Sequence, residues 1–233
     1  MYQPTPPGSS ATYGVRPAPA LVQQLLIGAF GWMFAGLLLT AGVSYLVSTS
    51  PTITAAAVNL WLPLLIGQFV LAMALIAGIN RFTPLVSLLL FFVYAATMGL
   101  TIGVIVQFYA EESVAAAFLS ASAMFGAAAF YGRITRRDLS GIGSIAFMGL
   151  IGIIVASLLN IFLHSSGLNW LISVVGVLVF AVLTAWDVQR ITNGQLAAVM
   201  KSAERASVFA AFQLYLDFIN LFLLFLRLFG RSR

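Results

Sequence analysis

Two aspartates lie deep in apolar sequence: Asp187 in Ala185-Trp186-Asp187-Val188-Gln189-Arg190 and Asp217 in Gln213-Leu214-Tyr215-Leu216-Asp217-Phe218-Ile219-Asn220. A carboxylate at the centre of a bilayer costs about 2.5–3.5 kcal/mol on insertion scales, so it needs an interior partner and a task. The midpoint of the pair is position 202, in the polar turn that contains Lys201. A simple antiparallel hairpin about that turn brings both carboxyls to one depth and within contact. Two neighbouring carboxyls in a low dielectric cannot both ionise cheaply, which makes their joint charge depend on pH. A shared proton bridges the helices; without it the pair repels or recruits a cation. Calcium prefers hard oxygen ligands, usually about six to eight. Asp187 and Asp217, helped by Gln189, Gln213, Asn220 and backbone carbonyls, with Tyr215 as a further polar group nearby, suit a weak transit site rather than a tight buffer. A blander alternative has Asp187 cap its helix end beside Arg190 while Asp217 hydrogen-bonds another span.

Few other residues offer chemistry. Arg81, after Gly78-Ile79-Asn80, either snorkels to the headgroups or turns inward as a latch on an aspartate. His164 is the only histidine and lacks the companions a metal site wants. Cysteine is absent, which excludes disulfides, thiol catalysis and thiolate metal sites. Glu111 and Glu112 stand in a loop where they either raise the local cation concentration or are simply solvated. An intramembrane aspartyl protease would also place one Asp on each of two spans. Those enzymes pair Tyr-Asp with Gly-x-Gly-Asp, whereas Asp217 follows Leu214-Tyr215-Leu216, so no enzymatic activity and no cofactor is expected.

The elements that must hold the aspartates are membrane spans. Of the 233 residues 61% are hydrophobic and only 7% charged, against roughly 25% charged in a soluble domain. Continuous apolar runs of about 20 residues select transmembrane helices, because a barrel would alternate in shorter segments. Seven spans are predicted, at 25–47, 62–79, 85–107, 114–131, 142–163, 168–188 and 207–229, forming one domain over 21–233. Residues 1–20, with Pro4, Pro6, Pro7, Pro17 and Pro19, read as a disordered tail. Eight of the 11 Lys and Arg then fall on the N-terminal side: Arg16, Arg81, Arg133, Arg136, Arg137, Arg190, Lys201 and Arg205. The positive-inside rule makes that side cytoplasmic, and topology explains the net charge of +5 better than a nucleic-acid partner does. Small residues in the first and fourth spans, such as Gly31, Ala35, Gly36 and the run from Ala115 to Ala129, predict close helix packing.

These segments resemble the Bax inhibitor-1 family, its bacterial branch in particular. The most specific match is Leu214-Tyr215-Leu216-Asp217-Phe218-Ile219-Asn220-Leu221-Phe222, continuing through Leu226-Arg227 to Phe229-Gly230. Phe92-Val93-Tyr94-Ala95, Gly99-Leu100-Thr101, Tyr131-Gly132, Arg137-Asp138-Leu139-Ser140-Gly141 and Thr184-Ala185-Trp186-Asp187-Val188-Gln189 are similar too. The resemblance implies seven helices with the last one central and surrounded by six. It also implies a pH-sensitive calcium leak of the bacterial inner membrane, with Asp187 and Asp217 as sensor and gate and calcium and protons as the partners. In the closed form an arginine of the second helix meets the sixth-helix aspartate, and Arg81 is the nearest candidate. Trp186-Asp187-Val188 departs from the usual Tyr-Asp-Thr and removes two hydroxyls. The rival reading is a non-conducting regulator that binds other membrane proteins, with a proton-coupled exchanger as a further one.

Overall fold

The computed structural model describes residues 18–78, 80–200 and 202–230. Among them it contains α-helices and no strand: α1 (Pro19–Thr49), α2 (Pro51–Asn59), α3 (Trp61–Gly78), α4 (Pro84–Val106), α5 (Glu111–Ile134), α6 (Ser140–Leu163), α7 (Ser166–Thr192), α8 (Gln195–Met200) and α9 (Ala203–Phe229). Seven of these, all but α2 and α8, are long and apolar enough to cross a membrane. The Pro-rich tail falls outside the described residues except for its end, where α1 already begins at Pro19. The breaks have local causes. Thr83 accepts a hydrogen bond from the Val86 amide and Pro84 opens α4, a position where a missing N–H costs nothing. Ser165 and Ser202 cap α7 and α9 in the same way. His164 turns left-handed (φ 49°) to end α6, and the Asn160 side chain accepts the Ser165 amide across that turn at 3.0 Å.

Lipid supplies no hydrophobic drive between helices, so close packing and hydrogen bonds hold them together. α9 is the axis: 72% of its most apolar stretch is buried, against 6% for α6. It packs on α1, α4, α5 and α7, while α3 lies chiefly on α4 and α6 chiefly on α7. The predicted ring of six around the last helix is therefore four close neighbours and two outer helices.

Two small-residue contacts bring the inner helices together. Gly99 and Gly103 of α4 lie on the Thr40 and Ser44 carbonyls of α1, where a Cβ would come within 2.8 and 2.9 Å. Gly36 faces the Phe91 ring, whereas Gly31 and Gly126 face open space. Polar ties are few and specific. The Thr40 hydroxyl bonds the Ala95 carbonyl at 2.9 Å and the Tyr215 hydroxyl at 2.7 Å. Gln68 donates to the Thr97 carbonyl and the Thr101 hydroxyl, fastening α3 to α4. Around Tyr215 the rings of Phe91, Tyr94 and Phe212 pack edge to face.

Candidate functional site: an aspartate pair between α7 and α9

Three facing pairs set the antiparallel register of α7 and α9. Gly176 lies on Leu224, the Thr184 hydroxyl lies against Asp217, and Gln213 Nε2 donates to Asp187 Oδ1 at 3.5 Å. Asp187 is thus level with Gln213, and Asp217 stands one turn further along, a step of ~6 Å at 1.5 Å per residue. A hairpin folded about position 202 would have matched Asp187 with Asp217 itself. The difference arises because α7 runs on to Thr192 and the short helix α8 occupies the connection. The two carboxyls remain electrostatic neighbours across the offset, since the charge of Asp187 bears on Asp217.

Both side chains are buried, at 6% exposure for Asp187 and 5% for Asp217. Their surroundings differ. Arg190, one turn along the same helix, approaches Asp187 Oδ1 at 3.3 Å, and its guanidinium also covers the Trp186 ring at 4.9 Å. No ion pair to Asp217 is found among the described residues, and its Oδ2 is buried without a hydrogen-bond partner. Gln213 Oε1 and Trp186 Nε1 are likewise buried and unpartnered. Such atoms are rare in native interiors and each costs about 1–3 kcal/mol, yet two of them, Asp217 Oδ2 and Gln213 Oε1, belong to this one site. The Thr184 hydroxyl is shared between the Phe180 carbonyl, at 2.7 Å, and Asp217. Two buried acceptors thus stand unpaired beside the two carboxyls, a setting for a proton or a cation.

Backbone approach positions the Asp187 segment. A Cβ on Gly132 of α5 would run into the Ala185 carbonyl, and one on Gly143 of α6 into the Trp186 indole. Gln189 Oε1 accepts the Leu139 amide at 2.9 Å and its Nε2 donates to the Arg137 carbonyl at 2.7 Å. Gly132 of α5 and the Arg137 and Leu139 backbone of the following loop, the latter two through Gln189, therefore brace one end of α7. A family model described as "Inhibitor of apoptosis-promoting Bax1" matches residues 22–233. The chain belongs to the Bax inhibitor-1 family. The inner membrane protein YbhL of Escherichia coli (strain K12) is 40% identical over 225 residues, covering 94% of this chain and 96% of YbhL. A protein of Deinococcus radiodurans is 38% identical, with 91% and 92% of the two chains covered. One of Borreliella burgdorferi is 39% identical, with 90% and 93% covered.

Within this family member the polar residues singled out in the sequence divide into two groups. Gln213 joins the aspartates. Gln189 faces the loop between α5 and α6, Tyr215 is bonded to Thr40, and Asn220 donates to the Leu216 carbonyl of its own helix at 2.7 Å. Arg81 is exposed and not brought to Asp187. Its neighbour Asn80 accepts a hydrogen bond from Arg205 near the start of α9, eight residues or ~12 Å along the axis from the level of Asp187. Arg190 takes the place beside Asp187 that the resemblance gives to the second-helix arginine. Thr184 was not singled out, although its spacing of three from Asp187 puts it on the same helix face.

Proposed function

We propose that this chain is a pH-sensitive calcium leak of the bacterial inner membrane, gated by protonation of the Asp187–Asp217 pair. The observation that carries the reading is two adjoining buried carboxyls on facing helices, only one of which has a cation. With a proton between them and Arg190 on Asp187, α7 and α9 stay together. Loss of that proton leaves net negative charge in a low dielectric, which is relieved by parting the helices or by admitting a cation. Two carboxylates with carbonyls hold calcium only weakly, as transit requires. A cavity of about 710 Å³ on the side opposite the N-terminus supports the reading: Glu111, Ser44 and Thr40 line it, and it extends to Phe218, next to Asp217 in sequence. By the distribution of Lys and Arg the N-terminus is cytoplasmic, and the name of YbhL supports the inner membrane as the location.

Calcium uptake into liposomes holding the purified protein, with external pH stepped from roughly 5 to 8, tests the proposal. Flux that varies with pH in the wild type and loses or moves that dependence in Asp217→Asn is expected. Flux no greater than in empty liposomes at every pH would overturn it and favour the regulator that binds other membrane proteins.

A further inference from the structure

α6 rests on α7 and hardly touches α9, which leaves a groove between α6 and α9 at the end of the bundle opposite the N-terminus. The groove encloses about 610 Å³, within the usual range for a bound small molecule. One end is polar, formed by Arg227, Asn160 and Asn169; below it the wall is aliphatic, with Ile154 and Leu158. Arg227 is the one Lys or Arg among the described residues on that side of the membrane, and it is exposed. It has no hydrogen bond or ion pair to any described residue. An arginine there runs against the usual charge asymmetry of membrane proteins, and charge complementarity calls for an anion. The two amides add donors. Asn160 Oδ1 is occupied by the Ser165 amide, so its NH₂ group is the part of that side chain left to donate. Trp170, 61% exposed beside Asn169, and Tyr109 on the groove wall mark the headgroup level, where such side chains collect.

We propose that this groove holds one anionic phospholipid, its phosphodiester on Arg227 and the Asn160 and Asn169 amides and an acyl chain along Ile154 and Leu158. A guanidinium matches a phosphate with two parallel hydrogen bonds, and an aliphatic wall directly below fits the tail of the same molecule. The lipid then fills the space between α6 and the central helix that protein side chains leave open. This inference is independent of the aspartate pair.

Native mass spectrometry of the full chain in detergent, incubated separately with phosphatidylglycerol, diacylglycerol and inorganic phosphate, tests it. One phosphatidylglycerol per chain is expected to stay bound, with neither diacylglycerol nor phosphate retained. Arg227→Gln is expected to weaken retention by roughly tenfold or more, as befits a lost charged hydrogen bond, and Arg227→Lys to weaken it less. Leu158→Trp, on an exposed position that narrows the groove while keeping every polar group, is expected to reduce retention as well. Thermal melting of each variant confirms that the fold is intact. Equal retention of diacylglycerol, or phosphatidylglycerol bound as well by Arg227→Gln and Leu158→Trp as by the wild type, would overturn the proposal. Retention of inorganic phosphate without lipid would do the same.

Discussion

The Arg190 guanidinium meets Asp187 at 3.3 Å from one turn along the same helix, while Asp217, beside Asp187 on the facing helix, has no ion pair among the described residues. Two acids of one type thus occupy unequal settings within one turn of each other. Under the proposed gating, Asp187 is balanced by a fixed cation and Asp217 is the one left to hold or release the mobile charge.

Arg190 should therefore matter to the pH response more than to folding. Arg190→Gln is expected to shift the midpoint of pH-dependent calcium flux, because the counter-charge beside Asp187 disappears. Arg190→Lys keeps the charge and should stay closer to wild type, although it loses the planar contact with Trp186. The charged hydrogen bond contributes about 1.5–3 kcal/mol at most, so melting should fall by only a few degrees. An unchanged flux profile in Arg190→Gln would show that Arg190 is a packing residue alone.

Gly132 offers a matched pair of tests within α5. A Cβ at 132 collides with the Ala185 backbone, which cannot move without α7. Gly132→Ala is expected to destabilise by about 1–3 kcal/mol, the usual cost of overpacking, and to disturb the pH response through the displaced Asp187. At Gly126 a Cβ meets nothing within 4 Å, so Gly126→Ala should leave melting unchanged or raise it slightly, as helix propensity favours alanine. Equal melting temperatures for the two variants would show that the α5–α7 contact is loose.

How much of this was legible in the sequence depends on which physical signal each feature carries. Apolar runs of sufficient length announce spans, and all seven are present. Asp187 and Asp217 stand out because charge in such runs is costly. The register of α7 against α9 was not legible, since it depends on α8, six residues from Gln195 to Met200 that read as part of a polar turn. The outward shift of α6 and α3 was hidden because every span is apolar enough to cross a membrane, although the central α9 is less apolar than α6. Nor does composition tell which way a polar side chain turns. Gln189 and Gln213 look alike in sequence, yet one faces a loop and the other an aspartate. Gly99 and Gly103 show the converse, a small-residue pair whose partner on α1 only the packing reveals.

Asp138 gives a pH dependence outside the membrane. The Ser140 amide donates to its carboxylate at 2.9 Å, and that bond holds the Asp138 carboxyl below its ordinary value. A depressed value means that the stabilisation is present above the ordinary carboxylate range and is lost as pH falls through the lower, folded value. Hydrogen exchange at the Ser140 amide should accordingly lose protection, relative to its neighbours in α6, only below that range. Asp138→Asn retains an acceptor and should abolish the pH dependence while keeping protection. Asp138→Ala should lose protection at every pH. A pH response that survives in Asp138→Asn would assign the effect to another group.

The sharpest test of the shared proton is a double-mutant cycle on Asp187→Asn and Asp217→Asn. If one proton serves both carboxyls, either substitution removes most of the pH dependence of calcium flux, and the second has little left to remove. The expected coupling is of the order of 0.5–3 kcal/mol in the pH-dependent component, as for groups in direct contact. Independent sites would instead give effects that add, as residues more than about 7–10 Å apart usually do. The one-turn offset between the aspartates makes this a real alternative, because Gln213 lies level with Asp187 and can relay between them. Gln213→Leu separates the cases: it should lower the coupling if the amide carries the proton's effect across the offset, and leave it intact if the carboxyls communicate directly.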